Sequence, residues 1–417
     1  WSSDVCSSDL GASVLKDLNE ILTGHFLREG ETRQANIQLT GSELPEILRQ
    51  LDLVLETNKS GLGSLNLLCI AAELLLYKEH QHHGLKLTLI EELEAHLHPQ
   101  YQLSLINYIK EQTGMGQFIL TTHSTVLGST IPLDKLIVVK DNNVFPMGSE
   151  HTKLSFSSYQ FLERFMEATR ANLFFAKGVI IVEGDAENLL IPTIAEIIGK
   201  PLHRYGVSIV NVGSTAFKRY ADIFKRKDGS DFGVPVSIIS DLDVRALEYY
   251  KAKDEDFPSG IADASDLEKA RAAKKKEIED ANNEGEIHIY LPNQWTLEYE
   301  IACSKLQKYL FCAVYVAKRE DNKKFRYEKA LLEADKKWAE LYGGETIEDD
   351  KQRAYDIFSE LDDGKASKAA TAQYLADMLS KQYQKEIGDN SENTIKYILE
   401  HDPYLQYIID AIKHVTK

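Results

Sequence analysis

No apolar run in these 417 residues reaches the roughly 18 positions that a helical bilayer crossing needs, so a membrane-spanning helix is not expected. Cysteine is scarce. Cys6, Cys69, Cys303 and Cys312 form no CxxC pair and no zinc spacing, which argues against a disulfide framework or a zinc module. Cys69 falls in an apolar helical stretch, and reduced, buried thiols in a cytoplasmic protein are the expectation. Positive charge is outnumbered: 48 Lys and Arg face 65 Asp and Glu, a net charge of −17. That balance opposes a coat-like binder of nucleic acid, but not an enzyme whose acids are offset by cations. No GxxxxGK[ST] occurs, so the chain carries no phosphate-cradling P-loop. There is no repeat period and no low-complexity tract. The opening WSSDVCSSDL has no leader pattern and no periodicity, and reads as an assembly scar ahead of a truncated chain. What remains is an ordinary globular composition, 43% hydrophobic and 27% charged, long enough for two or three domains.

Against these absences stand three acidic stations. KGVIIVEGDAE is an apolar run, read as a buried strand, that closes on Glu183 and then Glu187. VPVSIISDLD ends on Asp241 and Asp243, two apart and therefore on one side of an extended segment. EIHIYLPNQWTLEYE repeats the pattern and delivers Glu298. Between them lie a helical pattern after Glu187, a second apolar strand Val207–Val212, and a basic amphipathic helix TAFKRYADIFKRK. The order β-α-β-α-β predicts a parallel sheet, whose ligands gather outside the carboxyl ends of the strands. Several carboxylates placed there repel one another unless divalent cations neutralise them. The chemistry that suits them is metal-assisted phosphodiester cleavage. Lys218, Arg219, Lys225, Arg226 and Lys227 offer charge to a phosphate backbone, or equally an ordinary solvated helix face.

The first 150 residues hold a second ordered set. LKLTLIEELEAHLHPQ reads as a buried strand closed by Glu91 and Glu92, with Pro99 opening a helix. GQFILTTHS, about thirty residues on, is a strand that delivers His123. Upstream, NKSGLGSLNLLCIAAELLL places Ser60, Gly61 and Gly63 before an apolar helix, either as a phosphate-facing loop or as a plain glycine turn. His80, His82 and His83 read as an exposed loop rather than a metal site, and His96 and His98 as contact or capping residues.

VEGDAE followed by DLD resembles the Toprim domain of topoisomerases, DnaG-type primases and OLD (overcoming lysogenisation defect) nucleases. The Glu-Glu strand followed by a strand ending in histidine is similar to the Walker B, D-loop and switch-histidine series of ABC-type ATPases as OLD nucleases use it. The resemblance implies that Glu183, Asp241 and Asp243 are the motif acids and that Glu187 and Glu298 are further metal-side acids. Two Mg²⁺ or Mn²⁺ ions would be the cofactor. It gives Glu91 to the Mg²⁺ shell of ATP, Glu92 to the attacking water and His123 to the γ-phosphate. Ser60, Gly61 and Gly63 become the signature loop facing nucleotide held by a second protomer. In GKASKAATAQYLADML, Lys368 with Ala372 four later resembles the Lys-x-x-x-Ala element that stabilises charge on the phosphate, with Lys365 as the substitute and a plain surface lysine as the alternative.

The fold so implied is α/β. The C-terminal half of an ABC-type (AAA) ATPase lobe occupies 1–150, a helical linker 151–176, a Toprim domain 177–300, and a helical region completing the nuclease site 301–417. The function implied is an ATP-controlled, metal-dependent DNA endonuclease or nickase in phage defence. Its partners would be DNA, a second copy through the ATPase region (a dimer) and, in class 2 members such as the Gabija nuclease subunit, a superfamily 1 helicase. Without a P-loop, ATP hydrolysis by this chain is not expected. The rival is a non-enzymatic, ATP-controlled DNA clamp with Toprim as a binding module. A topoisomerase would need a tyrosine nucleophile in a separate domain, and a primase usually adds zinc-binding cysteines; neither accessory is recognisable.

Overall fold

The computed structural model describes residues 9–22, 24, 34–38, 52–55, 62–79, 86–111, 116–213, 216–323, 325–343, 350–389 and 391–417. Packing divides the chain into two units: 1–132 with 166–171, and 133–165 with 172–417. The sequence reading set its first boundary at 150 instead.

In the first unit, β1 (Ala35–Gln38) pairs antiparallel with β2 (Asp52–Leu55). β3 (Leu87–Ile90) pairs parallel with β4 (Gln117–Leu120), and the helix Pro99–Glu111 makes the crossover. The helix Leu62–Glu79 is apolar around most of its circumference, so it sits inside. Its Leu67, Leu68, Ala71 and Leu74 pack with Leu105 and Ile106 of the crossover helix and with Leu18 of the helix Asp9–Ile21. The expectation of a fully buried β3 is not met. Leu87 and Leu89 are 44% and 67% exposed, because side chains alternate across a strand and one face of this pair is open. Cys69, expected inside, is exposed on its helix.

In the second unit, KLIVVKDNNVFPMG, whose pattern reads as a strand, a DNN turn and a short return strand, folds as a hairpin of β5 (Ile137–Lys140) and β6 (Asn143–Pro146). Its two turn residues, Asp141 and Asn142, have φ of 48° and 61°, the type I′ geometry that matches strand twist and that Asp and Asn tolerate. The single helix expected next is in two pieces, a helix Phe156–Phe165 and a 3-10 turn Arg170–Phe174. Between them the Thr169 hydroxyl bonds the Glu167 carboxylate, a local bond that competes with helix continuation.

Four strands then form one parallel sheet in the order β10-β9-β7-β8: β7 (Gly178–Val182), β8 (Val207–Asn211), β9 (Val236–Ile239) and β10 (Ile287–Tyr290). β7 and β9 are central and buried along their whole length, as uninterrupted apolar runs should be. The helix Asp185–Ile197 links β7 to β8. The basic helix expected after β8 is shorter than the pattern suggested: a helix Phe217–Ala221 and a 3-10 turn Asp222–Phe224. Four of the five cations named there are already engaged. Lys225 pairs with Asp222 and Glu284, Arg226 donates to the Pro146 carbonyl, Lys227 donates to the Ser149 carbonyl, and Arg219 lies over the Phe161 ring. Lys225, Arg226 and Lys227 tie the 133–165 segment to the sheet; with Lys225 and Arg226 buried beyond the helix end, they are not the solvated helix face of the alternative reading.

The C-terminal helices belong to the same core. Trp295, Tyr299, Phe358, Leu375, Leu379 and Ile412 pack in one cluster with Ile180 and Val182. Each fully buried aliphatic residue there contributes about 1.5–3 kcal/mol. The helix Gln406–Val415 covers β7, β9 and β10, and its direction follows from two contacts. Ser237, level with Ile180, donates to the Ala411 carbonyl at 2.8 Å, whereas Gly178, two residues nearer the amino edge, lies against Val415. The helix therefore runs antiparallel to the strands and begins under their carboxyl edge. A Cβ at Gly178 would stand 2.9 Å from the Val415 carbonyl oxygen and 3.1 Å from the Val415 Cβ, so glycine is what lets the helix lie down on β7. Gly178→Ala should destabilise the protein by about 1–3 kcal/mol through overpacking, read as a lower urea midpoint at unchanged slope.

Candidate active site

Each acid stands just past the carboxyl end of a strand or in the first turn of the helix that follows. Glu183 follows β7 and is half-buried, and Ser240 at the end of β9 donates its hydroxyl to it. Burial pushes the Glu183 carboxyl above its usual value, the Ser240 bond opposes this, and the nearby Asp243 charge adds to the rise. Glu187 lies one turn into the helix Asp185–Ile197 and is buried. Burial pushes it up to about 7, Glu298 and Glu183 add to the shift, and Lys368 counters it.

Asp241 accepts from the Leu297 N–H at 3.0 Å. Burial first, then Glu298 and Glu187, hold its carboxyl well above the usual range. Asp243 is exposed, with φ of 53°, a left-handed conformation that costs about 1 kcal/mol or more in a residue other than glycine. Glu298 is buried in the first turn of the helix Leu297–Cys303, where it accepts from the Thr296 hydroxyl and from Lys368 Nζ, both at 3.1 Å. Lys368 is the first residue of the helix Lys368–Lys385, capped by Ser367. Burial alone would pull its ammonium down, but Glu298, Asp241 and Glu187 together hold it above its usual value. Lys365 pairs instead with Glu360 and Asp363, so of the two lysines Lys368 is the one beside the acids.

Glu187, Asp241, Glu298 and Lys368 thus form one electrostatic group, with Glu183 and Asp243 beside it. Among the described residues, no three His, Cys, Asp or Glu side chains close on a point that would hold a metal ion as they stand. The reason is visible in the bonds just given. Ser240 engages Glu183, the Leu297 N–H engages Asp241, and Lys368 engages Glu298. The donors themselves suit a hard cation, since all five are carboxylates. An oxygen-only set fits Mg²⁺ or Mn²⁺ once those bonds are exchanged for the ion.

The buried acids give metal-free protein a pH dependence of definite sign. Glu187 and Glu300 are both pushed up to about 7 by burial. A carboxyl raised on folding stabilises the folded state fully below its unfolded value of about 4.5, and that contribution is lost as pH rises through about 7. Each is worth up to about 3 kcal/mol. In EDTA the Tm should fall between about pH 5 and pH 8, and Glu187→Gln should make that slope shallower. Saturating divalent cation should reduce it, because the ion favours the ionised metal-side acids, and leave the part due to Glu300.

In the first unit, Glu91 and Glu92 follow β3 and are exposed. Glu92 has φ of 46° and donates its N–H to the Thr121 hydroxyl at 3.0 Å. His123 is exposed on the segment after β4. The sequence reading missed Glu94, whose carboxylate accepts the Thr122 hydroxyl at 2.7 Å and the His123 N–H. It holds the histidine segment against the loop after β3; the only signal for it was a third acid in EELEAH. Gly63 is in the first turn of its helix, where a Cβ would collide with the His96 carbonyl oxygen. Its lack of a side chain therefore serves close packing. Ser60, Gly61, His80, His82 and His83 lie outside the described residues.

Residues 174–243 match the family described as "Overcoming lysogenization defect protein-like, TOPRIM domain", and residues 9–127 match "AAA ATPase domain". Both matches support an OLD-family nuclease. Proteins similar to this chain include Endonuclease GajA of Bacillus cereus strain HuB5-5, 26% identical, with 50% of this chain and 33% of the relative covered. Endonuclease GajA of Bacillus cereus strain VD045 is 25% identical, with 45% and 31% covered. The chain spans about one third of the length of these curated relatives. The C-terminal region of the Xanthomonas campestris pv. campestris OLD protein is 20% identical, covering 59% of this chain and 94% of that one, at a TM-score of 0.30 that adds nothing to the assignment. Toprim and AAA ATPase domains generally use divalent metal and nucleotide. No described helix is long and apolar enough to cross a membrane.

Proposed function

We propose that this chain is the nuclease part of a metal-dependent DNA endonuclease or nickase. The observation that carries the reading is the meeting of Glu187, Asp241, Glu298 and Lys368, from four separate stretches of sequence, at the carboxyl edge of a parallel sheet. Glu183, Glu187, Asp241, Asp243 and Glu298 would hold Mg²⁺ or Mn²⁺, which supplies Lewis acidity and an activated water when bound. The chain's own part is orientation and charge. In the metal-free protein the Leu297 N–H and Ser240 hold Asp241 and Glu183 until the ion takes their place, and Thr296 orients Glu298. Lys368 places an ammonium beside the acids, where it could take up charge developing on a phosphate.

ATP control belongs to the same proposal. Glu91 and Glu92 would serve the ion and water of nucleotide, His123 the γ-phosphate, and Ser60, Gly61 and Gly63 a nucleotide on a second copy. The GajA relatives are named endonucleases; DNA as substrate, a role in phage defence, a cytoplasmic location and a helicase partner are the further parts of the proposal, carried over from the resemblance to OLD nucleases.

The test is a supercoiled-plasmid assay with and without divalent cation. Nicked circles should accumulate with Mn²⁺ or Mg²⁺ and be absent in EDTA. Cleavage in EDTA equal to that with metal would overturn the reading.

A further inference from the structure

The helix Ala264–Asn282 has the mixed-sign sequence of a solvated helix, yet one of its faces grips both of the loops that deliver acids after β9 and β10. Arg271 on that face is only 7% exposed. Its Nη1 donates to the Gln294 side-chain oxygen at 3.0 Å, and its Nη2 to the Arg245 carbonyl at 3.3 Å. Arg245 follows Asp243 by two residues, and Gln294 precedes Glu298 by four. One turn on, Lys274 Nζ donates to the Asp243 carbonyl at 3.4 Å, and Lys275 Nζ to the Leu291 carbonyl at 3.0 Å and to Asn293 Oδ1 at 2.8 Å. The Arg271 Nε has no hydrogen-bond partner among the described residues. A buried guanidinium with an unpaired donor is costly, and methionine would fill much the same space without that cost. What the arginine supplies is a planar fork that reaches two loops at once. That reach matters most when the site takes up an ion. The Leu297 N–H bond to Asp241, which ties the same two loops, must then be given up. The Leu242 N–H bond to the Trp295 carbonyl, at 3.0 Å, and the Arg271 bridge remain to hold them.

We propose that Arg271 is a positioning residue for the acid site: by tying Arg245 to Gln294 it sets the spacing of Asp241 and Asp243 from Glu298, and keeps it when the carboxylates turn to a divalent cation. The inference deepens the metal-dependent reading and rests on it.

The test is Arg271→Met, read by thermal unfolding across a Mn²⁺ titration and by plasmid nicking. The Mn²⁺ concentration giving half of the thermal stabilisation should rise about tenfold, the usual scale for losing a group that orients metal ligands. At saturating Mn²⁺ the kcat for nicking should fall by about the same factor while KM for DNA stays put, because a buried side chain does not touch the substrate. Gln294→Met cuts one arm of the same bridge from a partly exposed position, so it answers the question even if Arg271→Met folds poorly. Its Mn²⁺ midpoint should rise about threefold or more. A lowered Tm in EDTA with an unchanged Mn²⁺ midpoint in both variants would show a brace of the fold only, and would sink the inference. A raised KM for DNA at unchanged kcat would sink it too, by making Arg271 a contact to the substrate. In either case the metal-dependent reading survives, since the parent still responds to Mn²⁺. A parent that Mn²⁺ neither stabilises nor activates would bring down that reading, and this inference with it.

Discussion

Glu183→Ala and Asp241→Asn should each abolish plasmid nicking in Mn²⁺, with a loss of at least about a thousandfold. The magnitude follows from what an ion contributes to a phosphoryl transition state, several kcal/mol, with 1.4 kcal/mol for each factor of ten. The fold should survive both changes, for a reason specific to this site. Both carboxyls are raised by burial, so at neutral pH their ionised forms are a strain on the metal-free protein. Asparagine at 241 keeps a carbonyl oxygen for the Leu297 N–H, so no buried donor is orphaned. Thermal unfolding in EDTA should therefore show Tm values at or above the parent's, while nicking disappears. Retained cutting by either variant would remove the carboxyl-edge acids from the mechanism. A collapsed Tm would mean that these acids are structural.

The sheet that carries these acids was legible because it is made of local signals. GVIIV and VSII are short apolar runs bounded by acids and small residues, and a run of that kind in β-α-β order has few places to go but the middle of a parallel sheet. The DNN turn between β5 and β6 was legible for the same reason, while its type I′ geometry shows only in the φ values of Asp141 and Asn142. The helix Gln406–Val415 gave no such signal as a wall of the site. Amphipathic periodicity announces that a helix packs somewhere, but its partner, β9, is some 170 residues away, in the bond from Ser237 to Ala411. The fate of the basic residues at 225–227 was hidden likewise. Apart from Asp222, three residues before Lys225, their acceptors, Glu284 and the carbonyls of Pro146 and Ser149, are distant in sequence and leave no pattern near these cations. Glu94 was overlooked because Glu91 and Glu92 accounted for the motif, and only the fold brings Thr122 and His123 within its reach.

Lys368→Met should lower nicking about 10²–10³-fold while leaving a protein that still binds Mn²⁺. The lysine reaches from a half-exposed helix start to Glu298 at 3.1 Å, and its charge also bears on Asp241 and Glu187. Removing it leaves three acids with no countercharge, so their carboxyls rise further and ionise only at higher pH. The sign of the pH effect is then fixed. The lysine's raised value keeps it charged throughout the neutral range, so its support is present there and is lost on substitution. The residual activity of Lys368→Met should climb with pH to a higher midpoint than the parent's. Lys368→Arg, which keeps the charge, should recover much of the rate and the original pH profile. Lys365→Met is the control, because Lys365 answers to Glu360 and Asp363 and should leave nicking unchanged. Equal losses for Lys365→Met and Lys368→Met would mean that general surface charge, and not an ammonium set against Glu298, governs how this chain engages DNA.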